Sequence, residues 1–180
     1  MDVDLTAPEG PEQLLDAVQD LPIGILVNNA GFGFGGRFEK VEIDRLKGMV
    51  TLNCLAPSIL THRLLPSMLN RHRGAIVFTG SVAGRQPLPL HGLYSATKAF
   101  DSLLAEALYV ETRGTGVDVL VLEPGTTATE FQEVAGEVQH GGESPEAVVE
   151  VALSALGQQP TVISGWWNWF RAVVPARLAP

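Results

Sequence analysis

Short runs of consecutive apolar residues alternate along this chain with longer stretches in which apolar positions recur every three or four residues. Residues 23–27, 75–79 and 117–122 are apolar almost throughout, the pattern of strands buried on both faces of a parallel sheet. Residues 161–164 read as a last short strand. Residues 41–63 have helical periodicity, with Pro57 tolerated or marking a bend, and a second helical piece extends to residue 68. Residues 93–112 and 145–156 read as two more helices, the later one with Ser144 as its cap. Near the N-terminus, Asp4 and Leu5 read as a strand end. A helix start follows, with Thr6 as cap, Pro8 in the first turn, and Leu14, Leu15 and Val18 at helical spacing. Strands alternating with helices predict an α/β architecture with a mostly parallel sheet.

Composition narrows the class. At 180 residues the chain is long enough for one domain with a real core, and a 46% hydrophobic content excludes a disordered segment. A net charge of −8 argues against a nucleic-acid partner, because phosphate binding needs a basic face. Cys54 is the one cysteine, which rules out an intrachain disulfide and fits a reducing, cytoplasmic setting. Its apolar surroundings predict a buried small hydrophobe rather than a reactive thiol. No apolar run reaches the roughly 18 residues of a spanning helix. His62, His72 and His140 show no ligand spacing, so no metal is predicted. His91 reads as a solvated loop residue. The aromatic segment Trp166, Trp167, Trp169 and Phe170, with Arg171 and Arg177, can pack on a partner subunit, on a further segment or at a membrane surface.

The chemistry concentrates between residues 81 and 98. Tyr94 and Lys98 stand four residues apart, so on a helix both side chains lie on one face, one turn apart. An ammonium beside a phenol favours the phenolate and makes the tyrosine usable as an acid or base. Ser81 follows a strand and can face the same pocket. Two glycine-rich stretches, residues 31–36 and 79–84, match parts of a phosphate-binding turn in their letters. The first lacks a helix directly after it and an acid about 20 residues on, and reads as a substrate-side loop. In the second, Ser81 is better explained by the Tyr94–Lys98 pair.

Four pieces occur in a fixed order: Asn28-Asn29-Ala30-Gly31 after a strand, Asn53 in a later helix, Ser81 with Tyr94 and Lys98, and Pro124-Gly125 after another strand. Together they resemble the short-chain dehydrogenase/reductase family from Asp4 to about Thr129. Finer runs are similar to its bacterial branch with broad substrates and to 3-oxoacyl and hydroxysteroid reductases. The resemblance implies a Rossmann-like, doubly wound fold and a hydride transfer between NADP or NAD and a small carbonyl or alcohol substrate, in a homo-oligomer. It implies that Ser81 hydrogen-bonds the substrate carbonyl and that Tyr94 gives or takes the proton. Lys98 would lower the tyrosine pKa and hold the nicotinamide ribose. Asn53 would hold a proton relay to Lys98 through its backbone carbonyl and a water. Asp4 and Leu5 would border the adenine. Asn28, Ala30 and Gly31 would line the ribose, and Pro124, Gly125, Thr127 and Thr129 would touch the nicotinamide amide and phosphates.

The family's own Gly-rich turn after its first strand has no counterpart in these 180 residues, so the match is to an N-terminally truncated domain. Two expectations follow: weak cofactor binding and impaired turnover, and an open outer edge on the strand at 23–27, inviting pairing with another chain. The alternative is a non-catalytic remnant that acts only through self-association.

Overall fold

Strand β3 (Val117–Glu123) is the centre of the sheet, with every residue but Asp118 buried. In this computed structural model, which describes residues 2–129, 131 and 141–178, β3 pairs with β2 (Gly74–Thr79) on one side and β4 (Thr161–Ile163) on the other. Strand β1 (Ile25–Asn28) pairs with the far side of β2. All pairings are parallel and the order is β1-β2-β3-β4.

Because side chains alternate along a strand, β3 serves two cores. Val117, Val119 and Val121 join Ile76, Phe78 and Leu26 against α3 (Ala56–Asn70) and α4 (Gly92–Glu111), where they meet Met68, Leu64, Ala105 and Leu108. Leu120 and Leu122 face the opposite way, onto Val148, Ala152 and Ala155 of α5 (Pro145–Ala155). The result is a three-layer α/β/α arrangement. The cap predicted for α5 is in place, with Ser144 Oγ accepting the Ala147 N–H at 3.2 Å. Helix α6 (Trp166–Leu178) follows β4 and leaves Trp166, Trp167, Trp169 and Phe170 exposed. Two ring contacts order this patch, Trp167 stacked on Phe170 with centroids 5.6 Å apart and Trp166 edge-on to Trp167 at 5.3 Å. Among the described residues, no helix is long and apolar enough to cross a membrane.

Most element bounds lie within two residues of the sequence expectation, but three features differ. First, Asp4 and Leu5 form no strand. Asp4 Oδ1 takes the Thr6 N–H at 2.8 Å and the Thr6 hydroxyl at 2.7 Å, so the segment turns locally. Helix α1 (Gly10–Ala17) begins later, with Pro11 in its first turn and no side-chain cap. Second, the helical region does not break near Pro57. It runs from α2 (Ile43–Val50) through one wide turn, Thr51–Leu55, into α3. That π-type turn precedes Pro57, whose missing N–H falls where a regular ladder is already interrupted.

Third, β1 is not buried on both faces. Leu26 packs on the core, but Ile25 and Val27 are 55% and 57% exposed, since no described helix covers that side of the edge. Strand β1 also has no partner beyond β2 among the described residues. An apolar edge with unpaired N–H and C=O groups is a template for another strand. Residues 1–180 are therefore expected to self-associate with rising concentration in sedimentation velocity. Val27→Lys should suppress this while moving Tm by no more than about 2 °C, the scale of a surface substitution. A parent chain that stays monomeric throughout would contradict the reading.

Candidate active site

The loops that leave the C-terminal ends of β1, β2 and β3 meet α4, and Asn53 makes the first connection. The wide turn at Thr51–Leu55 carries Asn53 inward, where it is 1% exposed. Its Oδ1 accepts the Phe32 N–H at 3.1 Å and its Nδ2 donates to the Phe32 carbonyl at 2.9 Å. The same Nδ2 donates to Thr97 Oγ1 at 3.0 Å, and Thr97 Oγ1 donates to the Tyr94 carbonyl at 2.8 Å. One amide thus fixes the loop after β1 to the first turn of α4. Single π turns inside helices often mark such sites.

Lys98 and Tyr94 meet that loop side by side. The Lys98 ammonium donates to the Thr79 carbonyl at 2.6 Å and to Asp101 Oδ2 at 3.1 Å. Lys98 and Asp101 are only 6% and 4% exposed. A Cβ on Gly31 would lie 3.1 Å from Asn53 Oδ1 and 3.6 Å from Lys98 Nζ, so Gly31, Asn53 and Lys98 converge. A Cβ on Gly33 would come within 3.1 Å of the half-buried Tyr94 ring and 3.0 Å of Phe131. The Tyr94 and Phe131 rings are themselves 5.5 Å apart. Gly35 sits under the His91 ring, and the Gly36 N–H donates to the Leu90 carbonyl at 2.8 Å. His91 is therefore partly covered by this loop rather than solvated.

Ser81 follows β2 in extended backbone, and its Oγ accepts the Ala83 N–H at 3.1 Å, which caps the short turn Val82–Arg85. As an acceptor there, the hydroxyl keeps its own proton to donate. The turn lies directly on α4, since a Cβ on Gly84 would be 2.7 Å from Ala99 N and from the Lys98 carbonyl carbon. Arg85 pairs with Glu123, a fully buried carboxylate at the end of β3. The other oxygen of Glu123 accepts the Ser102 hydroxyl at 2.7 Å. The Val82 N–H donates to the Pro124 carbonyl at 3.2 Å, joining the Ser81 turn to the next loop.

That loop is held from its far side. Asn168 of α6 covers Gly125 so closely that a Cβ there would be 2.3 Å from its Oδ1. Thr127 Oγ1 donates to the Gly125 carbonyl at 3.3 Å, and Thr129 Oγ1 accepts the Phe131 N–H at 3.3 Å. Glu143 exchanges backbone bonds with Thr126 and Ala128, and its carboxylate receives Ser164 Oγ at 2.5 Å and Asn168 Nδ2 at 3.1 Å. Asn28 donates to Thr61 Oγ1 at 3.1 Å, while its buried Oδ1 has no hydrogen-bond partner among the described residues. Ala30 is exposed. Asp4 and Leu5 lie in the N-terminal turn, and no hydrogen bond among the described residues joins them to Asn53, Ser81, Tyr94 or Lys98. No group of three or more His, Cys, Asp or Glu among the described residues is arranged to hold a metal ion.

Thr97, Asp101, Glu123, Arg85 and Asn168 were not singled out from the sequence. Asp101 had a usable signal, because 94, 98 and 101 fall at i, i+4 and i+7 on one helical stripe. The others connect elements far apart in sequence.

Burial raises the Asp101 pKa above its ordinary value, and Lys98 opposes that rise. A raised acid binds its proton more tightly folded than unfolded. Its stabilising contribution is present below the unfolded value and fades as pH rises through the folded one. Burial, reinforced by Asp101 and opposed by Lys98, pushes the Cys54 thiol up to about 11. At pH 8, Cys54 should react with a disulfide reagent on the order of a hundredfold more slowly than free cysteine, since only the thiolate attacks. Reaction at the free-cysteine rate would show that Cys54 is not held in this environment.

Comparison with known proteins identifies the family. The family model for short chain dehydrogenases matches residues 1–139. The ketoacyl reductase HetN of Nostoc sp. is 33% identical over 156 residues, 83% of this chain and 54% of that protein. The very-long-chain 3-oxoacyl-CoA reductase of Bos taurus is 31% identical over 163 residues, 87% of this chain and 51% of that protein. The chain thus spans about half the length of these relatives. Among solved structures, a 7beta-hydroxysteroid dehydrogenase superposes with a TM-score of 0.85 at 28% identity, covering 94% of this chain and 67% of its own. A short-chain dehydrogenase from Sphingobium yanoikuyae, solved in complex with NADPH, superposes with a TM-score of 0.83 at 29% identity, covering 98% and 72%. With its parallel sheet, its Tyr94–Lys98 helix and a family match over most of its length, this chain belongs to the short-chain dehydrogenase family.

Proposed function

We propose that this chain carries the substrate half of an NAD(P)-dependent oxidoreductase acting on a carbonyl or alcohol carbon. The observation that supports this best is the convergence of Gly31, Asn53 and Lys98, with Tyr94 one turn away, at the C-terminal ends of parallel strands. Doubly wound sheets bind their ligands at that end. The residues present fit the nicotinamide end of a dinucleotide. Lys98 has a donor to offer a ribose hydroxyl, the buried Asn28 Oδ1 needs a donor, and the Gly125 turn presents backbone. When bound, the cofactor supplies the hydride chemistry. The protein positions groups and moves the proton. Ser81 donates its hydroxyl to the substrate oxygen, Tyr94 gives or takes that oxygen's proton, and Lys98 steadies the phenolate. Asn53 keeps loop 31–33 and α4 in register and, through its backbone carbonyl, anchors a water relay to Lys98.

Neither glycine-rich loop is arranged as a pyrophosphate cradle. Residues 31–36 pack on Asn53, Tyr94 and His91, and the Ser81 turn packs on α4. We therefore propose that residues 1–180 alone bind NADPH and NADH weakly and turn over slowly. A second reading, a non-catalytic remnant that self-associates, draws on the uncovered Ile25 and Val27. We place the protein in the cytoplasm as a homo-oligomer.

The test uses a version extended by the family's Gly-rich N-terminal segment and assayed on simple ketones and aldehydes. Tyr94→Phe should keep the fold and lower kcat by ~10²–10⁴, the range of a general acid–base group. Lys98→Met should shift the alkaline limb of the rate profile upward and weaken cofactor binding. Tyr94→Phe activity within a few-fold of the parent would remove Tyr94 from the chemistry. An extended chain that neither binds nucleotide nor turns over would favour the remnant.

A further inference from the structure

We propose that Asp101 is a positioning residue that seats the Lys98 ammonium at the end of β2 and compensates its charge, which sets how strongly that charge acts on the Tyr94 phenol. The inference rests on the Tyr94–Lys98 reading above and adds a third member to the pair. Asp101 stands one turn beyond Lys98 on α4, with Oδ2 3.1 Å from Nζ. Both side chains are almost wholly buried, unlike Asp44–Lys47, the other i,i+3 pair among the described residues, which lies open to solvent.

Burial makes the pairing consequential. A long, flexible ammonium stem has many rotamers, and here two acceptors select one, the Thr79 carbonyl at 2.6 Å and the Asp101 carboxylate. That rotamer keeps Nζ beside Gly31 and Asn53. From the position of the phenol, a lysine with a carboxylate at contact distance is a dipole, whose field falls off faster than that of a lone cation. The lysine is thus held in place by the group that also weakens its pull on Tyr94.

Other described charges around the pair come from each packed element. Cys54 on the Thr51–Leu55 turn interacts with both members and stays a neutral thiol in the physiological range. Glu123 of β3 and Arg85 of the Ser81 turn neutralise each other and reach α4 through Ser102. On α2, Lys47 and Asp44 are paired at the surface. None of these replaces Asp101 in contact with Nζ.

Residues 1–180 contain two tyrosines, Tyr94 and Tyr109, and three lysines, Lys40, Lys47 and Lys98, so isotope-labelled tyrosine Cζ and lysine Cε resonances can be followed one by one against pH without cofactor or substrate. Asp101→Asn should lower the Tyr94 midpoint by about one pH unit, the scale set by a nearby charge, and leave Tyr109 in place. Asp101→Glu should restore Tyr94 to within about 0.3 unit of the parent, well inside that effect. If Lys98→Met raises the Tyr94 midpoint but Asp101→Asn leaves Tyr94 unmoved, the proposal is overturned and the catalytic pair stands. If Lys98→Met leaves Tyr94 unmoved, the pair itself fails and the proposal with it. Should the variants not fold, the unsubstituted chain decides. Its Lys98 Cε should inflect in the acid range as Asp101 takes up its proton while Lys40 does not, and a flat acid limb at Lys98 would overturn the pairing.

Discussion

The close approach of α4 to the turn after β2 is the contact on which the rest of the site depends. Gly84 leaves room for that turn to lie on the backbone at Lys98 and Ala99, where any side chain would force them apart. Once α4 lies there, Lys98 reaches the Thr79 carbonyl, Thr97 meets Asn53, and Ser102 meets Glu123. Each bond ties α4 to a different element: the end of β2, the wide turn Thr51–Leu55 and the end of β3. Moving the helix would break all of them together, so the geometry of Ser81, Tyr94 and Lys98 is set by one packing contact.

The polar groups buried by this arrangement explain its rigidity. A buried charge is costly unless paired and hydrogen-bonded. Glu123 has Arg85 and Ser102, and Lys98 has Thr79 and Asp101. Asn53 satisfies both backbone groups of Phe32 with one amide. Networks satisfied in this way admit few alternative geometries. The proton transfer proposed for Tyr94 needs such order, because its groups must stand at fixed distances before substrate arrives.

Much of this was legible in the sequence, for identifiable reasons. Parallel strands buried on both faces leave continuous apolar runs, so β2 and β3 stood out, and the spacing of Tyr94 and Lys98 placed both on one helical face. The wide turn at Thr51–Leu55 was hidden, since apolar periodicity continues through it and its effect is to aim Asn53. The exposure of Ile25 and Val27 was hidden as well, because an apolar run does not say which neighbours cover it. Asp4 was misread, as its side chain competes for backbone donors and turns the chain where a strand end was expected. Asp101 carried no reading from the sequence, because its place on the 94–98–101 stripe becomes a contact with the ammonium only once α4 is packed.

The central claim is that this chain by itself holds the site in its working arrangement. Native-state hydrogen exchange at the Phe32 amide tests it most directly, because that amide lies in a loop and its described partner is the side chain of Asn53. The account predicts exchange slowed by ~10² or more relative to an open loop, in step with amides of β2 and β3. Exchange at the rate of an unprotected loop would show that the loop, α4 and Asn53 are not joined in solution, and would contradict a preformed site.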